Sequence, residues 1–531
     1  MLDKPVVVIG AGPAGLATVK ALRDRQVPVL CLDAGERPGG LWVLGAPNSS
    51  AYRTLHLNTS RTRTEFADFP MPADWPDYPS HTHIADYLAS YVATYDLTDA
   101  IRFGVTVTAV EPITTVEPIT GFDPAAVHPT AVHPAAAVSP AATVESAADV
   151  DPITTAHPNA DAGSAATVEP ITIVHPTVDT AVGVEPAASV GPSTVGGMSS
   201  TRGRAVGQGW RVTLAGGETI EASAVVVASG HNAVPKTPEP AYPGTFAGEF
   251  LHSHDYRGPE QLAGRRVLVV GGGNSAMDIA VDASHVADST LLSLRRGVWI
   301  VPKHLLGRPA DTWNGAMARR LPWRLRQRVS ERLLRLAVGR PEQYGLPAPA
   351  HGFLQDHPTL SDGLLGRITH GEIGVRPAIE RFEESNVCFI DGSRDAVDLV
   401  VWCTGYRVDL PFLDPALLAP GPDRLPLYRR IFHLDAPGLF FVGLMQSTGA
   451  ALPVVEAQAR LVAAFLARQY ALPAPAEQRA DCARRLTAAR DRWGDRRPAM
   501  RIDFDVYLAE AAHELRQGAR RLSSPGSVTW H

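Results

Sequence analysis

The sequence predicts an α/β chain built on two doubly wound parallel sheets, one inserted into the other, with a low-complexity insertion besides. Three observations carry this expectation. An apolar strand runs straight into Gly10-Ala-Gly12-Pro-Ala-Gly15, and the same device returns at Gly271-Gly-Gly273-Asn-Ser-Ala276. The chain is also 531 residues long, too long for one domain.

Val6-Val-Val-Ile9 is fully apolar, as a strand buried on both faces of a parallel sheet must be. Gly10 permits the tight turn, Gly12 lets backbone approach a pyrophosphate, and Gly15 lets a helix pack closely on the strand. Leu16–Leu22 follows at helical spacing, so a helix N-terminus faces the phosphates. Gly10, Gly12, Pro13, Ala14 and Gly15 are therefore candidate dinucleotide contacts. The next apolar run, Val29-Leu-Cys-Leu32, ends in Asp33, about 20 residues past the glycines, where a carboxylate would grip ribose hydroxyls.

In the second unit, Arg266-Val-Leu-Val-Val270 leads into Gly271, Gly273, Asn274, Ser275 and Ala276, all candidate cofactor contacts. The strand after it, Thr290–Leu294, has Ser293 near the acidic position and ends with Arg295 and Arg296. A 2′-phosphate would be repelled by a carboxylate there but paired by guanidinium groups. The second site thus suits NADPH, while Asp33 at the first suits a ribose without that phosphate. Two such turns imply two dinucleotides, such as a flavin supplied with hydride by a nicotinamide.

Residues 111–200 break the pattern: they hold ten acids and no Lys or Arg, and repeat Glu-Pro-Ile-Thr three times. Recurrent proline and missing aromatic anchors predict a disordered insertion over about 111–205. Its histidines each precede proline, with no ligand cluster to complete a metal site. Strand-like runs flank it, Ile101–Val110 before and Trp210–Leu214, Thr219–Ala222 and Ala224–Ala228 after, and predict one antiparallel meander with an expanded turn.

Composition excludes other classes. The formal net charge of -6 argues against a nucleic-acid partner. No apolar run is long enough to cross a membrane, and the start lacks the layout of a secretory signal. Cys31, Cys388, Cys403 and Cys482 are far apart, which excludes a zinc ribbon, a disulfide scaffold and an adjacent-cysteine redox centre. A large cytoplasmic enzyme remains.

Further segments resemble the flavin-containing monooxygenases, over about four-fifths of the chain. Gly39-Gly40-Leu41-Trp42, Leu57-Asn58-Thr59-Ser60-Arg61 and Phe66-Ala-Asp-Phe-Pro70 are similar to the family's flavin-side segments, with Asp33 where Glu is usual and Arg61 where Lys is common. Phe246-x-Gly248-x-x-x-His252-x-x-x-Tyr256 fits the family fingerprint, and its terminal tyrosine leans away from the Baeyer–Villiger branch. Ala228-Ser-Gly230 and Val401-Trp-Cys403-Thr404-Gly405-Tyr406 resemble the two interdomain crossings, and Leu439–Gln446 resembles the turn over the flavin pyrophosphate.

The resemblance implies FAD on a discontinuous domain (1–110, a β-meander at 206–234, and 403–531 with C-terminal helices) and NADP(H) on an inserted domain at 235–402. Gly40, Leu41, Trp42, Asn58, Thr59, Thr404, Gly405 and Gln446 become cofactor contacts. It implies hydride transfer from NADPH, a C4a-(hydro)peroxyflavin formed with O2, and oxygen transfer to a nucleophilic N or S atom of a small molecule. Asn58 is the catalytic candidate, because an amide can donate to one oxygen while accepting from another group. His252 reads as a structural residue joining the two domains. A ketone-oxidising Baeyer–Villiger enzyme and a non-oxygenating NADPH reductase are the alternatives. No metal is expected, and a homodimer is left open. Arg319–Arg340 reads as a core-packed helix with a wet arginine face, and the polar end Ser523–His531 argues against an anchor.

Overall fold

The computed structural model describes residues 3–114, 207–313, 321–356, 358–495 and 497–523. The expected disorder of the insertion and its histidines (115–206), Arg319, Arg320 and the tail from residue 524 lie outside the described residues. The rest belongs to one contact unit, Met1–Thr115 with Ala205–His531.

β1 (Val6–Ile9) is buried along its length. Val6, Val7 and Val8 are 0% exposed, each burial worth about 2 kcal/mol. α1 (Pro13–Arg23) follows, with Leu16, Val19 and Leu22 in the core, then β2 (Val29–Leu32). The short α2 (Arg61–Thr64) and α3 (His81–Thr94) precede β3 (Ile101–Arg102). β4 (Val107–Thr114), β5 (Gly207–Leu214) and β6 (Thr219–Ala222) form an antiparallel meander. β7 (Ala224–Val227) returns to lie parallel to β1.

This corrects the expected meander at both ends. Ile101–Arg102 pairs parallel with β2, and the apolar run after β6 joins the main sheet. Continuous Val and Ala without alternation suit a strand covered on both faces, not a half-exposed meander.

The first sheet runs Leu427–Tyr428, Phe432–His433, Leu439–Phe441, β7, β1, β2, β3. β1 has parallel neighbours on both sides, so the winding direction reverses at its C-terminal end, opening a crevice there. The glycine turn of residues 10–15 occupies that end. The helix Leu452–Leu466, buried almost all round, packs against α1 over this sheet.

The chain then passes through β8 (Val234–Pro235), β9 (Gly244–Phe246) and β10 (Glu249–His252) into β11 (Arg266–Val270), α4 (Asn274–Val286) and β12 (Ser289–Ser293). The second sheet is wholly parallel, ordered β10, Leu399–Trp402, β11, β12, Gly374–Arg376. β11 is again flanked on both sides, so residues 271–276 sit at a second switch point. β8 pairs antiparallel with Tyr406–Arg407, which lays the two crossings between the sheets side by side.

The arginine-rich helix spans Trp323–Val338. Its arginines are not all wet: Arg326 is 4% exposed and ion-paired with Asp503, whose other partner is Arg492 at 2.8 Å. A buried carboxylate between two guanidinium groups is what lets Arg326 leave water. Among the described residues no helix is long and apolar enough to cross a membrane.

Candidate functional site

At the first turn, Gly10 has φ +105°, and a Cβ there would lie 2.7 Å from the Ala228 carbonyl oxygen. A Cβ on Gly15 would lie 1.7 Å from the Gly10 carbonyl oxygen, so α1 can start this close to β1 only with glycine there. Gly39 N donates to the Ala11 carbonyl at 3.0 Å, and a Cβ on Gly40 would sit 3.0 Å from Gly12 Cα. The two glycine-rich segments therefore touch backbone to backbone. Leu41 is exposed and Trp42 half-buried on the one-turn helix that follows.

Gly12 caps α1 with no side-chain hydrogen bond and Pro13 opens the helix, so the first-turn amides face the crevice without a side-chain partner. Gly443 closes over this start, since a Cβ on it would lie 3.1 Å from Ala14 Cβ. The Gln446 backbone is fixed just beyond, its main-chain N–H donating to the Met500 carbonyl at 2.9 Å. Asp33 has a task the sequence did not announce. Its Oδ2 accepts from Ala11 N at 2.5 Å and its Oδ1 from Gly35 N at 2.7 Å. The carboxylate thus staples the glycine turn, keeping a lone pair on each oxygen for a ribose hydroxyl.

At the second turn, Gly271 has φ +141°, and a Cβ there would lie 2.3 Å from the Cys403 carbonyl oxygen. Gly273 caps α4 without a side-chain hydrogen bond, and a Cβ on it would meet nothing within 4 Å. Ala276 is buried against the sheet and Ser275 half-buried beside it. Asn274 Oδ1 accepts from Leu360 N at 2.9 Å, and Thr359 Oγ1 donates to the Gly272 carbonyl at 2.9 Å. Asn274 therefore braces the turn through its side chain. Ser293 is buried, donating to the Pro377 carbonyl at 2.7 Å. Arg295 and Arg296 are exposed, with no ion pair among the described residues. Thr404 Oγ1 donates to the Lys236 carbonyl, and Lys236 N donates to the Gly405 carbonyl at 2.9 Å, which ties the two crossings together.

The stretch 52–60 links the two sheets. Tyr52 donates to Asp278 at 2.7 Å, Thr54 to Asp282 at 2.5 Å, and Tyr256 to Asp282 at 2.7 Å. Asp278 and Asp282 lie one turn apart on one face of α4. The Tyr52 and Tyr256 rings meet at 5.4 Å. Burial raises Asp278 to about 6, against the opposing pull of the Tyr52 hydrogen bond. Burial also lowers His252, whose Nδ1 accepts from His254 N at 3.0 Å, so it stands as a neutral structural imidazole.

Farther along, Asn58 Oδ1 is buried with no hydrogen-bond partner. Thr59 Oγ1 contacts Thr64 Oγ1 at 2.8 Å. Ser60 N and Oγ both donate to Asp311 Oδ2, at 2.7 and 3.0 Å. The loop bearing Asn58 is thus held by its own helix and by Asp311 from the segment after β12.

These residues fit two dinucleotides. Each switch point presents a helix start with no side-chain cap, Gly273 borders open space, and Asn58 carries an orphaned acceptor on the loop that follows the 52–54 link to α4. Sequence reasoning missed Tyr52, Asp278, Asp282 and Asp311. The i,i+4 spacing of the two α4 acids was a usable signal. Asp311 gave none, because it lies on a single helical turn far from any motif.

A family model described as Flavin-binding monooxygenase-like matches residues 3–121 and 200–520. Flavin-containing monooxygenase 3 of Rattus norvegicus is 26% identical over 530 residues, covering 96% of this chain and 82% of that protein. Flavin-containing monooxygenase 5 of Homo sapiens is 27% identical over 497 residues, covering 91% and 76%. Among solved structures, S-allyl-L-cysteine S-oxygenase from Allium sativum aligns with TM-score 0.59 at 20% identity, covering 98% of this chain and 92% of that one. A closed cyclohexanone monooxygenase aligns with TM-score 0.61 at 17% identity, covering 97% and 98%. At such identities both report the fold.

Proposed function

Since the chain belongs to the flavin-binding monooxygenase-like family, oxidoreductases that depend on FAD and NADPH, we propose that it oxygenates a nucleophilic nitrogen or sulfur atom of a small molecule. One oxygen atom of O2 goes to the substrate and the other leaves as water, NADPH supplying the two electrons. In this reading residues 235–402 hold NADP(H), and 1–110, 206–234 and 403–531 hold FAD. The four free cysteines suit a reducing compartment, and we assign the reaction to the cytoplasm.

Bound FAD supplies the redox chemistry, accepting hydride and activating O2. The chain's part is to bind, orient and exclude water. Gly10, Gly12 and Gly15 bring the α1 N-terminus to one pyrophosphate, and Asp33 fixes the turn while reaching a ribose. Gly271, Gly273, Ser275 and Ala276 do the same at α4, with Asn274 bracing the turn. Arg295 and Arg296, unpaired at the end of β12, suit the 2′-phosphate. Thr404 and Gly405 set the crossing, Gln446 and Gly443 close over α1, and Gly40-Leu41-Trp42 wall the crevice. The observation that carries the reading is Asn58, a half-buried amide whose buried Oδ1 has no partner among the described residues. Its Nδ2 can donate to a reacting oxygen while Oδ1 accepts from the nicotinamide side, a pairing that Thr59 and Ser60 hold in register.

The test is the ratio of substrate oxygenated to NADPH consumed, with H2O2 measured beside it, for a thioether, a tertiary amine and a ketone. Coupled turnover of the thioether or amine is expected, with Asn58→Ala keeping its flavin and NADPH oxidation but shifting the product to H2O2. Coupled ketone turnover alone would move the enzyme to the Baeyer–Villiger class. Uncoupled oxidation with all three would leave only a reductase.

A further inference from the structure

Gly443 follows the strand Leu439–Phe441 and sits in the left-handed region at φ +87°. Its backbone stands against Ala14, the second residue of α1, whose first-turn amides face the crevice. Both polar atoms of Gly443 are held from elsewhere in the chain. The half-buried His231 ring donates to its carbonyl, as does Met445 N at 2.9 Å. Its own N–H donates to Gln458 Oε1 at 2.8 Å.

Gln458 lies within the helix Leu452–Leu466 and is 0% exposed, so water cannot stand in for its partners. A side-chain amide can turn either way, and only one way serves Gly443. The choice is made by Tyr507, on the C-terminal helix Phe504–Arg521. Burial pushes the Tyr507 hydroxyl up to about 12, so it keeps its single proton. That proton goes to the Arg429 carbonyl at 2.7 Å, which leaves the hydroxyl oxygen as an acceptor. Gln458 Nε2 donates to it at 3.2 Å, and Oε1 is thereby aimed at Gly443. Reversed, the amide would set donor against donor, which the Gly443 peptide can relieve only by moving. The same C-terminal segment holds the far end of the turn. Arg501–Ile502 pairs in parallel with Gln446–Ser447, and Phe504 N donates to Thr448 Oγ1 at 3.1 Å.

Resting on the reading that places FAD at the first glycine turn, we infer that Gln458 is a positioning residue for the flavin pyrophosphate and that Tyr507 orients it. Both act through the Gly443 peptide, which they fix beside the α1 amides. The C-terminal helix is thereby part of the flavin site.

The test is FAD release from the full-length holoprotein on dilution, followed by flavin fluorescence, with NADP+ titration and Tm beside it. Tyr507→Phe should release FAD about tenfold faster, the order of one buried hydrogen bond, and leave NADP+ affinity within about twofold. Gln458→Glu supplies the rescue, because a carboxylate offers Gly443 an oxygen whichever way it turns. Arg429, Arg430 and Arg485, the cations around Tyr507, favour that carboxylate. Tyr507→Phe combined with Gln458→Glu should therefore return release to within about threefold of the parent, even where Tm stays low. Unchanged release from Tyr507→Phe, or a loss that Gln458→Glu does not restore, overturns the positioning role. Should Tyr507→Phe fail to fold, Gln458→Met against Gln458→Glu carries the same contrast, and equal release from those two overturns the role. A rescued loss of NADP+ affinity in place of FAD would keep the positioning pair and sink the assignment of FAD to the first turn.

Discussion

Gly273→Ala separates a glycine needed by the fold from one needed by a ligand. Gly273 has φ -89° and ψ 176°, a conformation open to any residue, and an added Cβ meets no protein atom within 4 Å. Replacing glycine by alanine at a helix cap costs about 0.5–1 kcal/mol, while a less flexible unfolded chain returns about 0.4–1 kcal/mol. Folding should therefore be nearly unchanged, with Tm within about 2 °C of the parent. The methyl instead enters the space in front of the α4 N-terminus. Displacing a pyrophosphate from one charge-assisted amide bond costs about 1.5–3 kcal/mol, or roughly 10- to 100-fold in affinity. Steady-state KM for NADPH, with direct NADP+ titration beside it, reads the effect, and flavin content should stay at the parent level. A folded variant with an unchanged KM for NADPH would refute the assignment of this turn to the nicotinamide dinucleotide. Gly10→Ala is the contrast: with φ +105° and the Ala228 carbonyl oxygen 2.7 Å from the new Cβ, it should lose flavin and stability together.

Replacing Arg295 and Arg296 together by Ala should lower kcat/KM for NADPH by about 10- to 100-fold and leave NADH almost untouched, since only the 2′-phosphate loses partners. Equal losses with both nucleotides would refute the role. Asp278, raised to about 6, binds a proton in the folded state that the unfolded chain has released by that pH. Its contribution to stability is full below about pH 4 and falls away as pH rises through about 6, so Asp278→Asn should flatten that stretch of the wild-type stability–pH curve; denaturant midpoints from pH 4 to 7 check it, and parallel curves would exclude the shift. Thr114 and Gly207 are cross-strand partners of β4 and β5, so an Asn-Gly turn in place of 116–204 should preserve flavin content and coupling, measured as product per NADPH.

The parallel core of each sheet was legible because it begins with an apolar strand meeting a glycine turn, a pattern set by burial on two faces and by steric limits at Gly10, Gly15 and Gly271, whereas the antiparallel edge at 427–433 of the first sheet was not. Secondary assignment failed where sequence was locally ambiguous. Ile101–Arg102 reads equally well as the start of a meander or as a two-residue parallel edge, and only the β2 partner decides. The site was half legible. Gly273 and the two arginines are read from their position relative to the second glycine turn, whereas Asn58 is reached only through a segment's resemblance to the family. Asp311 and Arg326 were not legible, because their roles depend on contacts spanning 251 and 177 residues of sequence. The double duty of Asp33 was equally hidden, since a carboxylate's partners are backbone amides that carry no residue identity.

Several unsatisfied buried atoms fall on one loop beside the proposed site. A folded chain tolerates such atoms where another component completes them, since each otherwise costs about 1–3 kcal/mol. Asn58 Oδ1, Arg61 Nε and Asp311 Oδ1 lie on or against one loop, residues 58–63, while others, such as Thr290 Oγ1 and Arg501 Nε, lie elsewhere. That loop is clamped by Asp311 and Met71–Pro72, while the stretch before it is pinned to α4 by Tyr52 and Thr54. A loop fixed so firmly yet leaving its own polar atoms unpaired is preorganised for groups that arrive from outside. On the oxygenase reading, in which Asn58 serves the reacting oxygen, a change to that segment should disturb coupling, measured as product per NADPH, before it disturbs cofactor binding.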